Sequence, residues 1–315
     1  MIGQACGEPG SLVEALIAQG RDIGDLSAFI ATSFSGRFTP ETAESFALSS
    51  MGAIGALRAM TKAGKLAVIP CHVGQIGAMI ADGIIGCDVA FVQVSPADEQ
   101  GRHSFGLTHD HVQAMVARAR VVIAEVNDQV PYTYGEATLA SDRITCAVHV
   151  SRPPVEVMPV AAGGTDEAIA AHIADYIEDG TVLQVGVGAI PDAVMRLSRD
   201  RRDLGVHSGM IGDGYVDLVE AGVMTNALKP FDRGVGVAGA LIGSRRLFDH
   251  AHLNPAIRMA SAAITHDEAV LVRIPRLVTI NSALEVDLTG QVNAEASGSA
   301  YLGGTGGQVD YVRAG

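Results

Sequence analysis

The sequence predicts an α/β protein made of two open, mainly parallel α/β domains. Three observations carry this. Short apolar runs alternate with helical patterns, as buried parallel strands covered on both faces require. Thirty-seven glycines and no tryptophan fit a chain with many tight strand-to-helix turns. A Pro- and Gly-rich stretch, SRPPVEVMPVAAGG at 151–164, interrupts the alternation, which then restarts. The expected domains are 1–160 and 161–315. No short repeat is visible, so the two halves are read as similar α/β units only at the level of architecture.

The elements follow in order. Ser11 to Gln19 reads as a short helix, with Ser11 as its cap and Glu14 three residues on. Leu66 to Pro70 is a short buried strand, Ile76 to Asp82 a helix, and Val89 to Val94 the next strand. Asp110 to Ala119 is helical with Asp110 as cap, followed by strands Val121 to Val126 and Ile144 to Val150. In the second half, Asp166 to Ile177 is a helix with acidic residues in its first turn. Thr181 to Val185 is a strand, Asp192 to Leu197 and Asp213 to Ala221 are helices, and Leu277 to Asn281 is a strand. Leu284, Val286 and Leu288 alternate with Glu285, Asp287 and Thr289, which predicts a half-exposed strand.

Composition narrows the function. Hydrophobic residues at 48% and charged residues at 18% describe a folded chain rather than a disordered one. A net charge of −13 argues against bulk attraction to nucleic acid or an anionic membrane. A phosphorylated ligand would need local backbone N–H groups or arginines. Cysteines 6, 71, 87 and 146 show no CxxC spacing and read as buried small hydrophobes in a reducing compartment. There is no basic-then-apolar leader, and no run approaches the roughly 18 apolar residues of a membrane span. A soluble, cytoplasmic protein is expected.

Several segments offer chemistry. After Leu183-Gln184-Val185, the turn Gly186-Val187-Gly188-Ala189-Ile190-Pro191 runs into a helix. Such a turn exposes backbone N–H groups to a phosphate or an oxyanion, or is an ordinary tight βα turn. Pro191 stands where a GxGxxG motif has its third glycine, so a nicotinamide site is poorly supported. Gly303-Gly304-Thr305-Gly306-Gly307 reads as a flexible loop or a second anion nest. Asn281, at the end of a strand, is an amide partner for a ligand or a satisfied loop residue. His103, His109, Asp110 and His111 invite a metal reading, but His109 and His111 would diverge at a helix start, and no metal is expected. No GxSxG elbow supports Ser-His-Asp chemistry, although Ser104 and Ser208 have histidines nearby. Arg245-Arg246 reads as a solvated helix face or a phosphate contact.

Taken together, the blocks ACGEP at 5–9, VQVSPADEQGRHSFG at 92–106, IAEVNDQVP at 123–131, LQVGVGAIPDAV at 183–194 and LGVHSGMIGDGYVDLVEAGVMTN at 204–226 form one pattern. So do GSRRLFD at 243–249, NPAIRM at 254–259, INSALEVDLTGQVNAE at 280–295 and GGTGGQVDYVRAG at 303–315. The chain resembles the acetyl-CoA hydrolase/4-hydroxybutyrate CoA-transferase family along nearly its whole length. The resemblance implies two CoA-transferase-type domains with the site between them. It implies no bound cofactor, with coenzyme A as part of the substrate. A glutamate attacks the acyl-CoA thioester to give a mixed anhydride, CoA returns to form a glutamyl-CoA thioester, and a second carboxylate collects the CoA. Gly186, Val187, Gly188 and Ala189 resemble the segment lining the acyl or oxyanion site. Gly304, Gly306 and Gly307 resemble the CoA-site loop, and Asn281 a residue contacting CoA.

Two departures stand out. Gly209, between Ser208 and Met210, occupies the place of the family's catalytic glutamate. Asp213 matches a separate family aspartate. Family members also continue beyond the block at 303–315 and begin before the one at 5–9, which implies a fragment or a second chain completing the second domain. Three functions stay open at this point. One is acyl-CoA or acyl-carrier thioester processing by direct attack of water or an acceptor. A second is ordinary acyl-CoA:carboxylate CoA-transferase or acetyl-CoA hydrolase activity. The third is a non-catalytic subunit supporting a glutamate-bearing partner. A homo- or hetero-oligomer is expected.

Overall fold

Parallel strand pairs dominate the structure, a computed structural model that describes residues 1–314. In the first half, β1 (Ser27–Phe29), β2 (Ala47–Ser50) and β3 (Leu66–Val68) lie side by side in that order. A second set, β4 (Val89–Val94), β6 (Val121–Asn127) and β8 (Cys146–Val150), has the order β4-β6-β8. Between β4 and β8 in the chain, β5 (Arg102–His103) pairs antiparallel with β7 (Leu139–Ala140). Residues 1–3 join the two parallel sets. The Ile2 N–H donates to Phe29 O at 3.0 Å, and the Gly3 N–H to Phe91 O at 2.8 Å. Residues 1–3 thus bridge the two three-stranded sheets, β1-β2-β3 and β4-β6-β8. Ala90, Val92, Val94, Val122, Ala124 and Val126 are all buried in the second, because helices cover its faces.

Those helices are α1 (Gly10–Ile23), α2 (Leu57–Lys62), α3 (Val73–Ala81) and α4 (Val112–Arg118). The start of α1 is held from across the sheet. The Glu125 carboxylate on β6 accepts the Ser11 N–H at 2.6 Å and the Leu12 N–H at 3.3 Å. Ser11 itself does not cap the helix, and Glu14 is drawn to Arg37 and Arg152. Hydrogen bonds from those arginines hold the Glu14 carboxyl down to about 2. Glu125→Ala removes an acceptor from two N–H groups, one of them buried, and is expected to cost about 1–3 kcal/mol in a chemical-denaturation comparison, with activity unchanged.

The second half forms a five-stranded parallel sheet from β9 (Val182–Val185), β10 (Gly205–Ile211), β11 (Gly236–Leu241), β12 (Ile257–Met259) and β13 (Leu277–Ile280). Its order is β12-β11-β10-β9-β13. The chain steps outward in one direction from β9 to β12, then returns to the other side of β9. The strand order therefore reverses between β9 and β13, and ligands of open α/β sheets bind outside the carboxyl ends at such a point. The helices are α5 (Gly164–Ala174), α6 (Ala189–Leu197), α7 (Asp213–Glu220), α8 (Arg245–Ala251), α9 (Ala262–Thr265) and α10 (Glu268–Leu271).

Backbone bonds tie the halves together. The His109 N–H donates to Gly239 O, and the Leu241 N–H to Leu107 O, each at 2.8 Å. Residues 134–136 run beside β12, with the Met259 N–H donating to Tyr134 O at 2.8 Å. After β13 the chain makes two small hairpins, β14 (Glu285–Val286) with β15 (Val292–Asn293) and β16 (Ala296–Ser297) with β17 (Ala300–Tyr301). It then crosses back over the first half. The Ala53 N–H donates to Gly303 O at 2.6 Å, and the Val73 N–H to Gly306 O at 3.0 Å. The final helix, α11 (Gln308–Val312), is pinned by the Gly74 N–H, which donates to Asp310 at 3.1 Å.

Several sequence expectations need correction. Cys6, Cys71 and Cys87 are buried, but Cys146 is exposed because β8 is a sheet edge. Asp110 does not cap α4. It lies two residues before the helix, holds the His111 N–H at 2.7 Å and bonds the Gln4 amide. The strand proposed over 284–288 shrinks to Glu285–Val286, fully on the surface, since nothing packs on its apolar side. Strands β10, β11 and β12 had no clear sequence signal. Glycines at 205, 209, 236 and 239 break up the β-branched runs that mark the other strands. Arg245 and Arg246 lie on a solvated helix face, paired with Asp249, Asp217 and Glu220. Among the described residues, no helix is long and apolar enough to cross a membrane.

Candidate active site

The carboxyl ends of β9, β10, β11 and β13 open into a cavity of about 720 Å³, closed on the other side by residues of the first half. From the second half come Gly186, Val187 and Gly188 after β9, Gly209, Met210, Gly212 and Asp213 at the end of β10, and Asn281 and Ser282 after β13. Gly306, Gly307 and Tyr311 arrive with the returning C-terminal segment. The first half supplies Gln4, Phe34, Met51, Ile54, Val73 and Asp110. The walls are mostly apolar with a few convergent polar groups, the usual make-up of a small-molecule site. Arg58 is the only arginine or lysine lining the cavity among the described residues, and its Nε donates to Leu302 O at 2.8 Å.

The glycine turn is built for close approach. Gly188 has φ 128°, a conformation only glycine adopts without strain, and a Cβ there would meet open space. It places the first turn of α6 at the cavity wall, where the N–H groups of Gly188, Ala189 and Ile190 have no intrahelical acceptor. Ala189 is the first residue of α6 and does not itself line the cavity. Asn281 lies beside β9. Its amide donates to Gln184 Oε1 at 3.0 Å, and Gln184 donates back at 3.4 Å. Gly306 has φ 59° and lines the cavity with Gly307. Gly304 lies behind them, where a Cβ would sit 3.2 Å from Gly52 Cα, so its role is backbone packing.

Gly209 lies near the carboxyl end of β10, between Ser208, paired with Ala238, and Met210, paired with Ala240. A Cβ at Gly209 would lie 2.5 Å from His266 Cε1 and 2.7 Å from His266 Nε2. A Cβ at Gly307 would meet the same ring at 2.5 Å. The imidazole is therefore held between two glycines. It also packs on Tyr311 with ring centroids 4.9 Å apart, and its Nδ1 bonds the Thr265 hydroxyl at 2.9 Å. Burial, reinforced by nearby His207, pushes the His266 pKa down to about 3, so the ring is neutral. Burial raises the Tyr311 phenol well above its ordinary value. The space that a side chain at 209 would need is filled by histidine.

Three carboxylates line the cavity, and two are committed. Asp213 accepts the Ser244 N–H at 2.8 Å and the Ser244 hydroxyl at 2.6 Å. Asp110 holds Gln4 and the His111 N–H. Asp192, in the first turn of α6, is half-buried and has no hydrogen-bonding partner among the described residues, and burial together with Asp213 pushes its pKa up to about 6. Neither Asp192 nor His266 was legible as a site residue. Asp192 reads as an ordinary acidic first-turn residue, and His266 lies outside every glycine-rich motif. His109 and His111 are buried, and burial lowers the pKa of both. Among the described residues, no group of three His, Cys, Asp or Glu is disposed to hold a metal ion.

Comparison with known proteins agrees with this architecture. The acetyl-CoA hydrolase/transferase N-terminal domain matches residues 1–186, and the acetyl-CoA hydrolase/transferase C-terminal domain matches residues 243–315. A 4-hydroxybutyrate coenzyme A transferase of Clostridium kluyveri is 35% identical over 99% of this chain and 73% of its own length. A butyryl-CoA:acetate CoA-transferase of Anaerostipes caccae is 34% identical over 86% of this chain and 62% of its own. Among solved structures, RipA from Yersinia pestis superposes with a TM-score of 0.90 at 29% identity, covering 99% of this chain and 74% of that one. A 4-hydroxybutyrate CoA-transferase from Porphyromonas gingivalis gives 0.79 at 28% identity, covering 99% and 73%. With matches to both halves and a relative of this similarity along its length, the chain belongs to the acetyl-CoA hydrolase/transferase family.

Proposed function

We propose that this protein processes an acyl-CoA or acyl-carrier thioester by direct attack of water or an acceptor on the thioester carbonyl, without a glutamyl-CoA intermediate. The observation that carries this reading is the His266 ring seated where a side chain at Gly209 would begin. Glycine offers no nucleophile, and the filled space leaves no room for a carboxylate to reach in from that position. Asp213 is a poor substitute, since Ser244 holds both of its oxygens.

The remaining parts suit thioester chemistry. The first-turn N–H groups of α6, reached through Gly186, Val187 and Gly188, would hold the carbonyl oxygen as it gains charge. Asn281, Gly306 and Gly307 would meet the CoA portion, with Gly304 setting the loop against Gly52. Coenzyme A enters as substrate, and no resident cofactor is invoked. The relatives' names, both CoA transferases, support the substrate class.

The test is CoA release from acetyl-, butyryl-, succinyl- and 4-hydroxybutyryl-CoA, each with and without acetate. The reading expects thiol to appear without a carboxylate acceptor for at least one thioester. Release strictly dependent on acetate would restore the transferase route. No release from any thioester, together with co-purification of a glutamate-bearing second chain, would make this a supporting subunit.

A further inference from the structure

We propose that Asp192 is the general base that activates the attacking water. This rests on the direct-attack reading above and names the group that reading leaves unassigned. Among the described residues, three carboxylates line the cavity, and Asp192 alone of them is not engaged by a donor. It stands in the first turn of α6 and lines the cavity, on the same turn as the N–H groups that have no intrahelical acceptor. Base and oxyanion donors thus share one rigid element.

The surroundings keep the carboxylate available and basic. Asp213 and Asp217, both on α7, face it with like charge, and Arg196 on its own helix opposes them. Half-burial adds to the repulsion and lifts its pKa to about 6. That is close to working pH, where a base is both ionised and able to take a proton. His266 is less suited. Its burial holds it down to about 3, which leaves it neutral but a weak acceptor.

The step balances as a hydrolysis. Water oxygen bonds to the thioester carbonyl carbon while the Asp192 carboxylate takes one water proton. The carbonyl π pair moves to oxygen, where the α6 N–H groups stabilise it. That pair returns, the C–S bond breaks, and the departing sulfur takes the proton from the Asp192 carboxyl. The products are a carboxylic acid and the free thiol, with Asp192 ionised again.

The experiment compares the native chain with Asp192→Asn and Asp192→Glu, following thiol release from the thioester that the native chain cleaves. Asp192→Asn is expected to lose about 100-fold or more in kcat, with KM within about threefold. The native chain should show a rise in kcat/KM near pH 6 that Asp192→Asn loses, and Asp192→Glu should recover part of the rate. Because the carboxylate has no partner and two acidic neighbours, Asp192→Asn should unfold at or above the native temperature at pH 8. A rate and pH profile unchanged in Asp192→Asn, or a lower unfolding temperature, would overturn the assignment while leaving direct attack standing. A native chain that releases no thiol from any thioester would overturn direct attack, and the role of Asp192 with it.

Discussion

Replacing Gly209 by glutamate, the residue that the resemblance leads one to expect there, should not restore a working carboxylate. A Cβ at this position would sit 2.5 Å from the His266 ring, closer than real side chains approach. The ring lies where a Cβ at Gly307 would also fall, beside that residue's backbone, and packs on Tyr311, which limits its room to move aside. Even Gly209→Ala should cost about 1–3 kcal/mol through overpacking. Pairing either substitution with His266→Ala vacates the space. In a double-mutant cycle, Gly209→Ala and His266→Ala should show a favourable coupling of about 1 kcal/mol or more, as touching side chains do. Additive unfolding energies would mean that the ring and residue 209 do not compete. Carboxylate-dependent transfer should appear only in the paired Gly209→Glu/His266→Ala variant.

Acid should destabilise this protein well before its carboxylates protonate. His109 and His266 are held neutral down to about 3, His207 down to about 4, and His111 is lowered as well, in each case chiefly by burial. In the unfolded chain each histidine takes a proton near pH 6.5. Between that pH and the folded pKa, the unfolded state binds more protons, so stability falls as pH falls. Each histidine contributes a slope of up to about 1.4 kcal/mol per pH unit. Asp192 works in the opposite direction, because protonation near pH 6 relieves its repulsion with Asp213, but it is half-exposed and screened. Unfolding at pH 5.5 should therefore take up about three protons net, the four histidines' uptake less the proton Asp192 gives up, read from calorimetry in buffers of different ionisation enthalpy. An uptake near zero would show that these histidines are solvated or charged in the folded state.

Much of the fold was legible because strong local patterns agree with tertiary burial. VAFVQV at 89–94 is a strand in both readings, and the helix after Gly212 begins at Asp213 as expected. The glycine turn at 186–188 and Asn281 were legible from motif and resemblance, and the structure brings them to one cavity. Other features depend on distant partners. The N-terminus of α1 is held by Glu125, more than a hundred residues away, so local reading assigned the cap to Ser11. The missing side chain at 209 was visible, but the ring that fills its place was not. His266 reaches Gly209 and Gly307 only through folding, and no spacing in the sequence joins these three residues. The isolation of Asp192 was hidden for the same reason. Its freedom is known only once Ser244 is seen to hold Asp213 and Gln4 to bond Asp110.

The absence of a covalent enzyme–CoA intermediate is the central claim, and one measurement reaches it most directly. The native chain is mixed with a thioester that it cleaves, quenched during turnover, and weighed intact by mass spectrometry while thiol release is followed in the same sample. Thiol should accumulate while the protein keeps its unmodified mass. A population carrying covalently bound CoA or acyl group, formed and lost at the rate of turnover, would contradict the account.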